Sequence, residues 1–217
     1  MTQRTVSVLR THDDRTIPVP GTYTIDGPHT SVEFVARHLM ITKVRGRFVE
    51  VRGSIFIAED PEQSNVEAEI RAASVSTGDA FRDAHLRGPD FLDVDRYPLI
   101  TFRSTATTAR AESIWELTGD LTVRDITRPV VLQVDFEGAS PSPFGDERIA
   151  FSAAADVNRE DFGLTWNQTL ETGGVLIGKT IRIELNVQAI AAADAAVDLS
   201  RASDSPSASV HGAPTAF

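Results

Sequence analysis

Apolar and polar residues alternate along most of the middle of the chain. In the stretch VEAEIRAA, the apolar residues Val66, Ala68, Ile70 and Ala72 are separated by charged residues. A period of two is typical of an antiparallel strand with one buried face and one face in water. Similar segments occupy residues 32–36, 46–57, 99–105, 115–123, 130–136, 149–157 and 181–189. The chain therefore contains about eight strands and has little room for helix.

Many strands without long helical connections favour a sandwich or a barrel. A barrel leaves no exposed edge strand, whereas a long open meander has to protect both of its edges. We therefore expect an all-β fold, an eight-stranded antiparallel barrel.

The stretch STGDAFRDAHLRGPDFLDV interrupts the alternation. Ser76 or Thr77 could cap a short helix, because hydroxyl oxygens accept hydrogen bonds from the first helical N–H groups. The glycine–proline pair at residues 88–89 would end that helix. Phe91 and Leu92 follow as apolar anchors. We expect this segment to be a helical lid over one end of the barrel.

The two ends of the chain lack a periodic apolar face. Residues 1–20 are polar and suit a flexible arm, and residues 194–217 are rich in Ala, Ser and Pro. Such a composition buries too little surface to offset the entropy of ordering, so we expect a disordered tail. The domain itself should span residues 21–193.

Composition and charge exclude several classes of function. The chain has no cysteine, and so no disulfide, thiolate nucleophile or cysteine-bound zinc. Its formal net charge of -10 disfavours binding to nucleic acid and to anionic membrane surfaces, both of which need basic side chains. No apolar run suits a signal peptide or a membrane-spanning helix, so we expect a cytoplasmic protein without an integral membrane segment. The sequence is compatible with a homodimer.

One histidine could serve a catalytic role. His85 with Asp83 or Asp79 could form a general base oriented by a carboxylate. Such a site also needs a nucleophile or a metal, and the sequence has no motif for either. Alternatively, His85 and the neighbouring arginines hold the lid together. We expect no catalytic residues, no metal and no cofactor.

Several segments together resemble the YceI-like family in order and spacing. They are YTIDGPHTSVEFVARHL, VRGRF, VSTGDAFRDAHLRGPDFLDVDRYPLITFRST, LTGDLTVRDITRPVVL and NREDFGLTW. The resemblance implies a lipocalin-like barrel whose interior holds one long apolar molecule, a polyisoprenoid or an isoprenoid quinone. Many relatives carry a signal peptide, and this chain departs from them in that respect.

The inward residues of the alternating strands are the candidate ligand-binding residues. Several of them are small, which favours a cavity over a filled core in a barrel of this size. The predicted lining is Val32, Phe34, Ile70, Phe102, Trp115, Leu117, Leu132, Val134, Phe136, Phe151, Ala153, Ile183 and Leu185. The predicted polar rim is His38, Met40, Lys43, Arg45 and Arg47. Two alternatives stay open, an enzyme acting on a lipid-like substrate in the barrel and a ligand-free interaction module.

Overall fold

The computed structural model describes residues 8–39, 41–111, 113–142, 146–169 and 174–192. Its strands are β1 (Leu9–His12), β2 (Arg15–Pro18), β3 (Gly21–Ile25), β4 (Ser31–His38), β5 (Thr42–Phe48), β6 (Val51–Ile57), β7 (Asn65–Arg71), β8 (Val75–Ser76), β9 (Leu99–Ala109), β10 (Ile114–Val123), β11 (Ile126–Pro141), β12 (Glu147–Asn158) and β13 (Ile177–Ala191). The α-helix, α1, is Ala80–Arg87, and short 3-10 helices lie at Gly27–His29, Pro61–Gln63, Ala72–Ser74 and Arg159–Phe162.

The main sheet is a closed antiparallel meander with eight positions. Three positions are each filled by two consecutive strands: β3 with β4, β5 with β6, and β7 with β8. From β7 the order runs through β9, β10, β11 and β12 to β13. The last strand then pairs with both β3 and β4 and closes the barrel. The expected all-β, eight-stranded antiparallel barrel with a short helical segment is confirmed.

Clusters of buried apolar residues close the two ends of the barrel. At one end, which we call the hairpin end, Tyr23, Ile149 and Ala189 are buried together with residues of the N-terminal segment. At the opposite end, which we call the lid end, the buried cluster includes Leu92 and Phe162. The space between them is available for a cavity.

The N-terminal segment differs from the flexible arm that we expected over residues 1–20. β1 and β2 form a separate antiparallel hairpin, and Ile17 is only 3% exposed. Val8 is buried in the hairpin-end cluster, and its N–H donates to Glu147 at 3.0 Å. The sequence did not reveal this because the four-residue strands are too short for a clear period of two. Residues 1–7 and the predicted tail at 194–217 lie outside the described residues.

The lid forms as predicted, although its cap is a different residue. Asp79 is the N-cap of α1 and accepts a hydrogen bond from the N–H of Arg82 at 2.9 Å, in place of Ser76 or Thr77. Phe91 is 6% exposed and packs against the rings of His85 and Trp166. None of the helices in the described part of the chain is long and apolar enough to cross a membrane.

Candidate ligand-binding cavity

The barrel encloses a cavity of about 640 Å³. Most of its wall consists of apolar side chains that alternate with outward-facing residues along the strands, since successive side chains of a strand point to opposite faces. Because every barrel strand contributes one face, the alternation seen in the sequence becomes a continuous apolar lining.

The structure places eleven of the thirteen predicted lining residues around this cavity. They are Val32, Phe34, Ile70, Phe102, Leu117, Leu132, Val134, Phe151, Ala153, Ile183 and Leu185. Trp115 and Phe136 instead line a smaller cavity of about 90 Å³, together with Ile17 and Pro18 of the N-terminal hairpin. The hairpin covers that end of the barrel, and Leu117, Val134 and Phe151 are among the residues that line both cavities. Contact of any of the thirteen with a ligand stays a prediction.

The small inward residues contribute to the open volume in different ways. Ala68 and Ala153 line the cavity directly. A side chain at Gly119 would overlap the ring of Phe102, so the glycine lets that ring lie against the barrel wall. Ala155 and Ala189 are instead buried in apolar clusters and are not among the residues that line the cavity. Small residues therefore mark both cavity and tight core, and the sequence pattern could not separate the two.

Aromatic side chains lie at the lid end of the cavity. The ring of His85 meets Trp166 edge-on with centroids 4.6 Å apart, and it meets Phe91 at 5.0 Å. Its Nε2 atom lies 2.9 Å from a carboxylate oxygen of Asp90. These contacts join the lid to the segment that follows β12.

The carboxylates that we considered as partners of His85 bind elsewhere. Asp83 accepts hydrogen bonds from the N–H and the hydroxyl of Thr77 at 2.7 and 2.6 Å. Burial acts to raise the pKa of Asp83, but the hydrogen bonds from Thr77 and the nearby arginines outweigh it and leave the pKa below its usual value. Since Asp79 caps the helix, neither carboxylate orients the imidazole of His85. The pairing of His85 with Asp83 or Asp79, which we considered only as the catalytic alternative, is not found.

The predicted rim on β5 faces the outside of the barrel. Along this strand Val44 and Phe48 line the cavity, so the alternating residues Lys43, Arg45 and Arg47 lie on the outer wall.

Arg45 donates to Glu184 at 2.7 Å and lies 3.8 Å from Glu33. Glu33 on β4 and Glu184 on β13 are at outward positions of neighbouring strands. The hydrogen bond with Glu184 raises the pKa of Arg45. The rim was therefore misplaced for these three residues, because the strand continues its alternation up to the turn. Among the other predicted rim residues, His38 lines the cavity and Met40 lies outside the described residues.

Sequence reasoning missed the polar residues that do line the lid end. They are Arg37, Thr77, Arg82 and Arg159. Arg159 and Trp166 lie in the stretch NREDFGLTW, which had drawn attention only as a family feature. The sequence shows an arginine soon after the alternating segment 149–157, but it does not show that this side chain is buried. The described residues hold no group of three His, Asp or Glu side chains that could bind a metal ion.

A closed eight-stranded antiparallel barrel around an apolar cavity defines the class to which this protein belongs. The chain is a member of the YceI-like family, whose domain model matches residues 23–189.

A UPF0312 protein of Staphylococcus aureus strain N315 is 36% identical over 171 residues, which cover 76% of this chain and 95% of the relative. The fold is similar to the YceI protein of Campylobacter jejuni, with a TM-score of 0.62 and 26% identity over 72% of this chain and 90% of that one. It is also similar to a polyisoprenoid-binding domain from Saccharophagus degradans, with a TM-score of 0.61 and 16% identity, covering 78% of this chain and 98% of the other.

Proposed function

We propose that the protein binds one long apolar isoprenoid lipid or isoprenoid quinone inside the barrel, for storage, transport or protection. The observation that carries this proposal is the apolar cavity of about 640 Å³ along the barrel interior. Its volume lies within the range of about 300–1,000 Å³ that is usual for small-molecule sites. The name of the S. degradans domain, polyisoprenoid-binding, supports the same class of ligand.

The cavity provides enough apolar surface for useful affinity. Each buried methylene contributes about 0.8 kcal/mol, so several five-carbon isoprene units could contribute more than about 10 kcal/mol before costs. Ordering the flexible chain and immobilising the ligand reduce the net affinity. A purely apolar wall distinguishes ligands that differ by one methylene by only about 1–3 kcal/mol, so selectivity for tail length should be weak.

A polar head group would lie at the lid end. Burying a polar group without a hydrogen-bond partner costs several kcal/mol, so the head needs donors or water. The lid end supplies donors from His38, Arg37 and Arg82, whereas the middle of the barrel is apolar. The tail would then extend from the lid end toward the hairpin end.

Native mass spectrometry of the protein purified from its own host tests the proposal. We expect a mass increase that corresponds to one bound lipid, which organic extraction then releases for identification. The extracted protein should bind one equivalent of an isoprenoid quinone when the two are mixed. A bare mass, together with no uptake of polyisoprenol or isoprenoid quinone by the extracted protein, would contradict the proposal.

One observation favours the alternative of an enzyme. His85 lines the cavity and pairs with Asp90 at 2.9 Å, an arrangement that could hold an imidazole in one tautomer. Incubating the protein with its own extracted lipid separates the two functions. Recovery of unchanged lipid supports binding, whereas a converted product that disappears in a His85→Ala variant would support the enzyme.

A further inference from the structure

The N-terminal hairpin of β1 and β2 precedes the residues that the YceI-like domain model matches, which begin at residue 23. β2 buries its last two residues, Ile17 and Pro18, whereas Thr16 before them is exposed. The hairpin is thus packed against the barrel although the domain model does not include it. Its effect on the barrel follows from its contacts in this chain.

The hairpin is bonded to three different parts of the barrel. Arg10 donates to Glu59, in the connection between β6 and β7, at 3.0 Å. Arg15 donates to the carbonyl of Ala111, in the connection between β9 and β10, at 3.2 Å. The N–H of Val8 donates to the first residue of β12 at 3.0 Å. All three partners lie at the hairpin end of the barrel, so the hairpin spans that end.

A small cavity of about 90 Å³ lies beneath the hairpin. Ile17 and Pro18 line it from the hairpin, and Trp115 and Phe136 line it from the barrel strands. The guanidinium of Arg15 lies over the ring of Trp115, 5.8 Å from its centroid. Most of the lining is apolar, so this space suits an apolar group and not a polar head.

The small cavity adjoins the large one. Five residues line both cavities, namely Ile55, Val66, Leu117, Val134 and Phe151. Phe151 also packs against Phe136, with ring centroids 5.2 Å apart, and Phe136 lines the small cavity only. The boundary between the two spaces therefore consists of side chains, and rotation of these side chains would join them.

We propose that the small cavity binds the last isoprene unit of the ligand's tail, and that Ile17 closes it and so sets the longest tail that the barrel accepts. An apolar wall alone selects only weakly for tail length. A closed end has a stronger effect, because a well-packed interior does not admit extra methylenes without strain. A longer tail would have to leave its additional carbons in water at the lid end. This inference rests on the proposed function, because it assigns the tail of the same ligand.

The unaltered protein gives the first test. After extraction of bound lipid, it would be mixed with isoprenoid quinones that share one head group and differ by one isoprene unit, and native mass spectrometry would give their relative affinities. The affinity should rise by at least about tenfold per unit while the added carbons are buried, and should change by less than about twofold beyond the limit. A rise without a limit would overturn the inference, whereas binding of none of the quinones would contradict the proposed function itself.

Substitutions at Ile17 in the full-length chain give the second test. Ile17→Trp fills the small cavity, so the longest tail that fits the unaltered protein should bind at least about tenfold more weakly, and short tails should bind within about twofold. Ile17→Ala enlarges the space and should move the limit to a longer tail. The matched controls are Thr16→Trp and Thr16→Ala, since Thr16 is the exposed neighbour on the same strand.

Circular dichroism would establish that each variant is folded. An unchanged limit in both folded Ile17 variants would overturn the inference. The same shift in the Thr16 variants would also overturn it, because the effect would then not come from the buried face of the hairpin.

Tryptophan fluorescence gives a third test that leaves Ile17 in place. The chain has two tryptophans, Trp115 at the small cavity and Trp166 at the lid end. A polyprenol that carries bromine on its last isoprene unit should quench Trp115, measured in Trp166→Phe, more strongly than Trp166, measured in Trp115→Phe. The unbrominated polyprenol is the control. Equal quenching of the two, or stronger quenching of Trp166, would overturn the inference, and this result decides the question if an Ile17 variant does not fold.

Discussion

The ring of Phe34 lies directly against the backbone of Gly46, its register partner on the neighbouring strand. Any side chain at position 46 would overlap this ring and would also approach the methyl group of Thr77. The glycine therefore allows a large aromatic side chain to lie along the barrel wall. The volume that the ring would otherwise occupy stays part of the cavity.

We expect Gly46→Ala to push the ring of Phe34 toward the cavity and to lower both stability and lipid affinity. Forcing extra atoms into a close contact of this kind usually costs about 1–3 kcal/mol. Denaturant unfolding and titration with an isoprenoid quinone would measure the two effects. Adding Phe34→Ala should restore part of the affinity, since it removes the ring that is displaced. A single variant with unchanged stability and affinity would show that the wall relaxes freely at this position.

Ala153→Phe tests whether the ligand occupies the barrel. Ala153 lines the cavity between Val134 and Leu185 on the adjacent strands, so a phenyl group there should obstruct the interior. We expect quinone binding to weaken by at least about tenfold, the equivalent of about 1.4 kcal/mol. The matched control is Ala154→Phe, because the next residue on the strand faces the outside and lies beside Gln133 and Glu184. A folded Ala153→Phe variant with unchanged affinity and stoichiometry would place the ligand elsewhere.

Phe91→Ala should destabilise the protein by about 3–5 kcal/mol, the usual cost of removing a buried phenyl ring from a core. Phe91 is buried and packs against the rings of His85 and Trp166. Phe81→Ala is the control on the same lid, because Phe81 is 91% exposed and should change the free energy of unfolding by less than about 0.5 kcal/mol. Chemical denaturation would measure both variants. Similar losses for the two would mean that the lid does not depend on Phe91 as an anchor.

Asp83 should contribute stability that depends on pH. Its pKa is lower in the folded protein than the ordinary value of about 3.9, so its contribution is fully present above that value and is lost as the pH falls through the folded pKa. At neutral pH, Asp83→Asn should cost about 1–3 kcal/mol, because the two donors of Thr77 lose a charged acceptor. Unfolding measured from neutral pH down to below 3 should show the two proteins converging. A difference that stays constant over this range would mean that the charge of Asp83 is not what stabilises the lid.

The barrel was predictable because its strands are long enough for the period of two to be unmistakable. The same alternation placed Phe102, Leu132 and Ile183 on the cavity wall. It also shows why the rim prediction failed. Arg45 obeys the alternation like its neighbours, whereas we had assigned it to a polar rim together with His38 and Met40.

The alternation of apolar and polar residues does not predict that the side chain of Arg159 is buried in the cavity wall. Its guanidinium donates to the carbonyls of Leu164, Trp166 and Gly178, up to 19 positions away along the chain, and no local pattern reveals these bonds. The sequence also could not predict whether the inward residues surround a cavity or fill a core. An alanine faces inward in both cases, and only the packing of the neighbouring rings decides whether space remains beside it.

The N-terminal hairpin leads to a prediction about Tyr23. Its hydroxyl donates to the carbonyl of Val19 at 2.9 Å, and burial, aided by the charge of Glu147, raises its pKa to about 12. Because its pKa is raised in the folded state, Tyr23 stabilises the fold, and this contribution is fully present at pH values below the ordinary tyrosine pKa of about 10. The contribution is lost as the pH rises from about 10 toward about 12. Deleting residues 1–19 should expose Tyr23, return its pKa toward 10 and cost about 1–3 kcal/mol at neutral pH, since Val8 and Ile17 leave the core.

Ultraviolet titration of tyrosinate would follow Tyr23 alone in a Tyr97→Phe background, because the chain has two tyrosines. The full-length background variant should ionise near pH 12, and the shortened one about one to two units lower. Denaturation of the same pair at pH 7 and pH 11 tests the sign, since the full-length protein should lose more stability between the two values than the shortened one. If the shortened protein keeps both the high pKa and its stability, the hairpin does not close this end of the barrel.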